Sequence, residues 1–335
     1  MDIRVVGRDS EALAVTLRRH CKAEVRSGPG GDDAEYVCVA VGDLPETDLL
    51  LDPRLQLLVL VEPGLALRDR MLRALAGQDH PALEIVEHVR PALQAERTWS
   101  LIGTLVHGVP AAVQALENWQ TVESQVVEGP PSVSTWTALD QPVTLASLQL
   151  GLLGFGLLGQ HLALRAAQAG MQVRYWLQHA TRSDVIEADG AALQSGARPA
   201  TFDDLLAGSG IVVLDLVYEP DSIRSIDAPE IALLRRDAWL VNTSHGRAID
   251  EGALLQALRG GHLAGVALDR FNYEPLPGDS PLRTQERVLL TPGIAVPDET
   301  TVMSETARRV SIAIASHFPQ LEKRTVRRIT REIQR

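Results

Sequence analysis

The sequence predicts an α/β protein built on parallel sheets, and three observations carry that reading. Short β-branched or leucine-rich runs alternate with helix-like segments along most of the chain, which is the signature of parallel strands covered by their crossover helices. The alternation falls into two blocks, and 335 residues suit two domains. The second block opens on Gly154, Gly156 and Gly159, spaced G-x-G-x-x-G between an apolar run, Leu148–Leu153, and a helical stretch.

In the first block, Ile3–Val6, Tyr36–Val41, Gln56–Val61 and Leu83–Val89 read as strands, with Ser10–Cys21 and Arg68–Leu75 as helices between them. A long helical pattern follows from Leu93 to Trp119, in which Gly108 and Pro110 introduce at most a kink. Glu128–Pro142, with Pro130, Pro131 and Pro142, is looser. The second block supplies strands at Leu148–Leu153, Gln172–Trp176, Ile211–Leu216, Ala238–Asn242, Ala264–Leu268 and Val288–Leu290. Helices are expected near Leu157–Ala169, Phe202–Ala207, Pro229–Arg235 and Glu251–Arg259, and a last one over Glu299–Phe318. Six strands make a full Rossmann count.

Composition narrows the function classes. The chain is 45% apolar and 22% charged with a net charge of −11, ordinary globular material that argues against general affinity for nucleic acid or anionic membrane. The basic run Lys323, Arg324, Arg327, Arg328 and Arg331 reads as a solvated helix end. Two cysteines, Cys21 and Cys38, imply no disulfide framework and suit a reducing cytoplasm. No stretch is long and apolar enough to span a bilayer, and Met1–Arg4 lacks the layout of a signal peptide. A cytoplasmic location and no metal site are therefore expected.

The three glycines sit where a dinucleotide fingerprint requires them. The first permits the tight turn, the second lets a pyrophosphate approach the backbone, and the third lets helix and strand pack closely. The helix start at Leu157 and Leu158 then offers N–H groups and the positive dipole end to phosphate. In NAD-specific folds an acid about twenty residues on binds the ribose 2′-hydroxyl. Here the strand ends at Trp176 and continues Leu177-Gln178-His179-Ala180-Thr181-Arg182 with no acid. That removes the repulsion toward a 2′-phosphate, and His179, Thr181 and Arg182 offer donors to it. NADP is thus favoured over NAD, with NAD left as the alternative.

The strings LGLLGFGLLGQ (150–160), LVNTSHGRAIDEGALLQAL (240–258), LAGVALDRFNYEPLPGDSPL (263–282) and VLLTPGI (288–294) carry a more specific resemblance. From about residue 90 to 300 the chain resembles the D-isomer-specific 2-hydroxyacid dehydrogenases, especially the glyoxylate/hydroxypyruvate reductase branch. The resemblance implies two Rossmann-like or flavodoxin-like domains with parallel sheets, joined by a long crossing helix, with a cleft between them. Residues 1–100 and 296–335 would form the substrate domain, and 101–295 the dinucleotide domain. It also implies a homodimer, a small-molecule substrate, and cofactor contacts from Thr243, Ser244 and Asp269.

Catalysis in this family rests on an arginine that grips the substrate carboxylate, a histidine that donates a proton, and a glutamate that tunes the histidine. Where the arginine stands in the pattern, this chain has His245, with Arg247 two residues on. Glu274 before Pro275 fits the glutamate, while Thr291-Pro292 is followed by Gly293 in place of histidine. Three readings follow: a redox enzyme with a relocated His245–Glu274 dyad, in which Glu274 raises the imidazole pKa; an enzyme of different chemistry; or a dinucleotide-binding pseudoenzyme. Gly64, near Glu62, and Tyr218 are candidate substrate contacts, whereas Arg97 and His107 read as surface or interhelix residues.

Overall fold

A computed structural model describes residues 2–7, 9–21, 23–27, 35–42, 52–61, 81–86, 89–117, 143–177, 182–216 and 222–321, without the side chains of 114–117, 182–187 and 189. The chain divides into two compact units, Met1–Arg90 with Pro297–Arg335, and Pro91–Val296. Both are α/β units with wholly parallel sheets.

The first unit runs β1 (Asp2–Gly7), α1 (Ser10–Leu17), β2 (Val25–Ser27), β3 (Tyr36–Val41), β4 (Leu55–Val61) and β5 (Ala82–Val86). Its sheet order is β2-β1-β3-β4-β5, the flavodoxin-like arrangement. The central strands β3 and β4 are buried almost throughout, as expected of strands covered on both faces. Strand β2 escaped the sequence reading because it is only three residues long and carries Arg26. The strand expected to reach Val89 stops at Val86, and Val89 instead opens a helix.

That helix, α2 (Val89–Val106), is followed by α3 (Val109–Glu117). The single long helix expected over Leu93–Trp119 is therefore broken. Gly108 adopts a left-handed φ of 63°, which ends a helix at little cost for glycine, and Pro110 then falls in the first turn of α3, where its missing N–H is harmless. Trp119 and the Glu128–Pro142 segment lie outside the described residues, as does the helix expected at Arg68–Leu75.

The second unit continues with β6 (Gln149–Leu153), α4 (Leu157–Gln168), β7 (Gln172–Trp176), α5 (Arg182–Ser195), β8 (Arg198–Pro199), α6 (Phe202–Gly208) and β9 (Ile211–Leu214). It closes with α7 (Ala228–Leu233), β10 (Ala238–Asn242), α8 (Glu251–Arg259), β11 (Leu263–Leu268) and β12 (Val288–Leu290). The sheet order is β12-β11-β10-β9-β6-β7-β8. This is the doubly wound pattern with one extra edge strand, and its order reverses between β6 and β9, the switch point where such sheets bind ligands. Ile211 and Val213 of β9 join one core with Leu150, Leu152 and Leu162, while Val212 and Leu214 join the opposite core with Leu240, Leu254 and Val266. The two cores fix β6 and β9 side by side from both faces. Helix α5 was not anticipated, because its sequence RSDVIEADGAALQS has no clear apolar stripe. The last helix, α9 (Glu299–His317), belongs to the first unit, where Cys21 Sγ lies 3.7 Å from Ser311 Oγ.

Candidate functional site

The glycine turn is built at the switch point. Gly154 leaves β6 with φ 99°, its N–H donating to the Trp176 carbonyl at 2.9 Å. A Cβ there would stand 2.0 Å from the Asp215 carbonyl oxygen, so only glycine fits. A Cβ on Gly159 would meet the Asp215 Oδ2 at 3.0 Å, and one on Gly156 would meet it at 3.4 Å. The backbone is thus open where a pyrophosphate would need to approach, because no side chain projects from any of the three positions.

The start of α4 differs from its neighbours in the unit. Helices α6, α7 and α8 are capped by their own Thr201, Asp227 and Asp250, each accepting from a first-turn N–H. The residue before α4 is Gly156, which has no side chain to do so. Among the described residues the Leu157 and Leu158 N–H groups meet no protein acceptor, whereas Gly159 N–H donates to Asp215 Oδ2 at 2.9 Å. Two open N–H groups at a helix start are what a phosphate would satisfy.

Asp215 was not among the residues expected to contact the nucleotide. It follows β9, and its N–H donates to the Leu153 carbonyl of β6 at 2.7 Å, so the strand pairing delivers its carboxylate to the head of α4. Burial pushes its pKa up to about 6, against the lowering effect of the Gly159 and Gly156 N–H groups. Trp176, at the end of β7, packs edge-on against Phe202 at 4.9 Å between ring centroids. Arg182 begins α5, but its side chain is not described; His179, Thr181, Glu62, Gly64 and Tyr218 lie outside the described residues.

The second group of loops leaves β10, β11 and β12. Asn242, fully buried, anchors the first of them: its Nδ2 donates to the His245 carbonyl at 2.9 Å, while its Oδ1 accepts from Ser244 N and Oγ. Thr243 is also fully buried. Its hydroxyl pairs with Thr98 at 3.1 Å and its carbonyl accepts from Gln94 Nε2 at 3.3 Å, so it ties the loop to α2 with no hydroxyl left facing outward. Asp269 likewise orders structure: Oδ1 accepts from Thr291 Oγ1 at 2.6 Å and Ile294 N at 2.8 Å, and Oδ2 from Ala295 N at 2.9 Å. Arg97 Nη1 donates to the Ile294 carbonyl at 2.8 Å, and His107 is exposed.

The hydrogen bonds that the structure records for His245 and Glu274 among the described residues run to groups other than each other. His245 Nε2 and Ser222 Oγ are hydrogen-bonded at 3.0 Å. Glu274 instead accepts from Arg270 Nη1 at 3.0 Å on Oε2 and from Phe271 N at 3.1 Å on Oε1. Burial lowers the imidazole pKa. The lowered pKa favours the neutral imidazole, which exchanges protons readily but is not a fixed cation for an anion. Arg247 is exposed. A Cβ on Gly246 would lie 1.9 Å from the Phe271 carbonyl oxygen, so the loops carrying His245 and Arg270 abut backbone to backbone.

Arg270 accounts for the space beside Gly293. A Cβ on Gly293 would stand 3.4 Å from Arg270 Nη1, and Gly293 has a left-handed φ of 73° with its N–H donating to the Asp269 carbonyl at 3.0 Å. Arg270, Glu274 and Gly293, with Asp269 and Thr291, line a cavity of about 530 Å³, within the range of small-molecule sites. Among the described residues no cluster of His, Cys, Asp and Glu is arranged to hold a metal, and no helix is long and apolar enough to cross a membrane.

Residues 111–295 match the family model described as D-isomer specific 2-hydroxyacid dehydrogenase, NAD binding domain. The chain is 32% identical over 169 residues to a glyoxylate reductase of Korarchaeum cryptofilum, covering 50% of this chain and 47% of that protein. It is 37% identical over 146 residues to an (S)-sulfolactate dehydrogenase of Chromohalobacter salexigens, covering 44% and 45%. In fold it is similar to phosphoglycerate dehydrogenase from Lactobacillus plantarum (TM-score 0.62, 21% identity, 96% of this chain and 99% of that one). A D-isomer specific 2-hydroxyacid dehydrogenase from Xanthobacter autotrophicus Py2 gives a TM-score of 0.53 at 24% identity, covering 92% of each chain. The chain belongs to the D-isomer specific 2-hydroxyacid dehydrogenase family. In sequence it spans about half the length of the relatives it matches.

Proposed function

We propose that the protein is an NAD(P)-dependent oxidoreductase that reduces a small carbonyl compound, with NADPH preferred over NADH. The observation that carries the reading is the uncapped start of α4, where three glycines leave the backbone bare and, among the described residues, the Leu157 and Leu158 N–H groups meet no protein acceptor. A bound nicotinamide dinucleotide would supply hydride; Gly154, Gly156 and Gly159 would admit its pyrophosphate. His245, hydrogen-bonded to Ser222, would supply the proton from its protonated form and end as neutral imidazole, so the burial-lowered pKa makes turnover fall as pH rises. The absence of an acid after Trp176 favours the 2′-phosphate. A soluble cytoplasmic homodimer, with a separate substrate domain in the first unit, completes the proposal.

Fluorescence titration with NADPH and NADH tests the cofactor, and NADPH oxidation against keto acids, aldehydes and imines tests the activity. Tighter NADH binding would overturn the preference. His245→Ala is expected to abolish turnover while leaving NADPH binding unchanged; full retained activity would remove His245 from the chemistry. A second reading, a dinucleotide-binding pseudoenzyme, is favoured by Gly293 and by the engagement of Glu274 with Arg270. Tight NADPH binding without oxidation by any carbonyl or imine would select it.

A further inference from the structure

Helices α6, α7 and α8 take their first-turn acceptor from the residue at their own start. The head of α4 takes it from another strand: Asp215, which follows β9, accepts from Gly159 N–H at 2.9 Å through Oδ2. The backbone of Asp215 is held against the glycine turn. Its N–H donates to the Leu153 carbonyl at 2.7 Å, and its carbonyl oxygen lies 2.0 Å from where a Cβ on Gly154 would stand. Its Oδ2 lies 3.0 Å and 3.4 Å from the Cβ positions of Gly159 and Gly156, so all three glycines face this one residue. A carboxylate and a pyrophosphate seek the same N–H groups and the same positive helix end. Like charges brought to one site drive the weaker acid to take up a proton, and of these two groups the carboxylic acid is the weaker.

Among the described residues no cation offsets the carboxylate. Strands β6 and β9 and the glycine turn carry no titratable side chain. On α4, Arg165 donates to the His161 and Ala92 carbonyls; Arg174 of β7 and Asp203 and Asp204 of α6 are exposed; His245, after β10, is hydrogen-bonded to Ser222. Burial accordingly raises the Asp215 pKa to about 6, against the Gly159 and Gly156 N–H groups that lower it.

We propose that Asp215 is a proton-linked gate on the dinucleotide site: its carboxylate holds the head of α4 while the site is empty, and a dinucleotide binds there with uptake of a proton by Asp215. The gate presupposes the dinucleotide site proposed above and adds its regulation by pH. Where the free carboxyl is already neutral, affinity is highest. At higher pH the proton must come from solvent, so affinity falls, and it levels off once the carboxyl is ionised in the complex as well.

Fluorescence titration of the full chain with NADH, between about pH 5.5 and about pH 8.5, tests it; NADH serves because the 2′-phosphate of NADPH itself titrates near about pH 6. NADH is expected to bind roughly tenfold more weakly at the upper end. Asp215→Asn should keep the tighter affinity at every pH. That variant retains His245, so a pH dependence common to both proteins belongs to other groups, and the difference between the two profiles is the readout. Calorimetry in buffers of different ionisation enthalpy reads the proton in the unsubstituted chain without any variant: about half a proton should be taken up per NADH near about pH 6.5. Parallel profiles in the two proteins, or binding without proton uptake, would overturn the gate and leave the dinucleotide reading standing. Binding by Asp215→Asn alone would support both. Binding of neither NADH nor NADPH by either protein at any pH would overturn both.

Discussion

The glycine turn and the cavity beside Gly293, both in the second unit, are built by different means. At the glycine turn, the chemistry belongs to backbone atoms: bare glycines, open N–H groups and a helix dipole. At the cavity below β11 and β12, it belongs to side chains, where Arg270 pairs with Glu274 and Asp269 orders the turn behind them. A backbone site constrains sequence through what must be absent, namely a Cβ. A side-chain site can exchange its members, provided that charge and space are matched, and here an arginine from the neighbouring position lies against Gly293.

The comparison can be broken most severely at Gly154. Gly154→Ala would force a Cβ to 2.0 Å from the Asp215 carbonyl at φ 99°. The expected result is loss of NADPH binding and a stability loss of roughly 4 kcal/mol or more, read by titration and chemical denaturation. At the other end, Asp269→Ala would strand two backbone N–H groups and the Thr291 hydroxyl. It should cost about 3–5 kcal/mol, since each stranded buried donor costs about 1–3 kcal/mol, while leaving the glycine turn intact in any fraction that folds.

Asp215 sharpens the contrast, because it is a side chain intruding on the backbone site. With its pKa raised to about 6, the folded protein binds more protons than the unfolded chain between about pH 4 and 6. Stability should therefore fall as pH rises through that window and level off above it. Asp215→Asn keeps an acceptor for Gly159 N–H but removes the charge. It should stabilise the protein by roughly 1–3 kcal/mol at pH 7.5, with little effect at pH 4. The same substitution should tighten NADPH binding at pH 7.5, on the order of tenfold, by removing a negative charge near the phosphates. An unchanged affinity, with the melting curve shifted as expected, would mean that the carboxylate and the pyrophosphate do not share this helix end.

The smallest effect belongs to Gly293. Gly293→Ala also places a Cβ on a left-handed residue, but the nearest atom is Arg270 Nη1 at 3.4 Å, an ordinary contact. The cost should be about 1–2 kcal/mol from backbone conformation alone. A loss as large as that of Gly154→Ala would show that the cavity is as tightly constrained as the turn.

These contrasts explain what could be read from the chain. The glycine spacing and the strands flanking it are local signals, so Gly154, Gly156, β6 and α4 were legible without any three-dimensional information. The role of Asp215 was not, because its carboxylate reaches Gly159 only through the pairing of β9 with β6 across 56 positions of sequence. Arg270 was missed for a related reason: comparison with the family pattern marks Gly293 as a missing side chain, but only the fold brings Arg270 to it. His245 and Glu274 were each located, yet their partners Ser222 and Arg270 lie 23 and four positions upstream, with no helical or strand pattern to pair them. Helix α5 shows the limit of periodicity, since a helix without an apolar stripe leaves no mark at the 3.6-residue period.

The membership of α9 in the first unit has a consequence for synthesis. Strands β1 to β5 emerge from the ribosome first, but the helix that packs with α1, joining Cys21 to Ser311, comes after residue 298. Leu13 and Leu17 of α1 and Val310 and Ile314 of α9 are buried in this completed unit. The second unit, continuous from Pro91 to Val296, has all its strands in hand earlier. The order of completion is thus the reverse of the order of translation, and the N-terminal strands must wait, with apolar surface uncovered, while the dinucleotide-type sheet assembles.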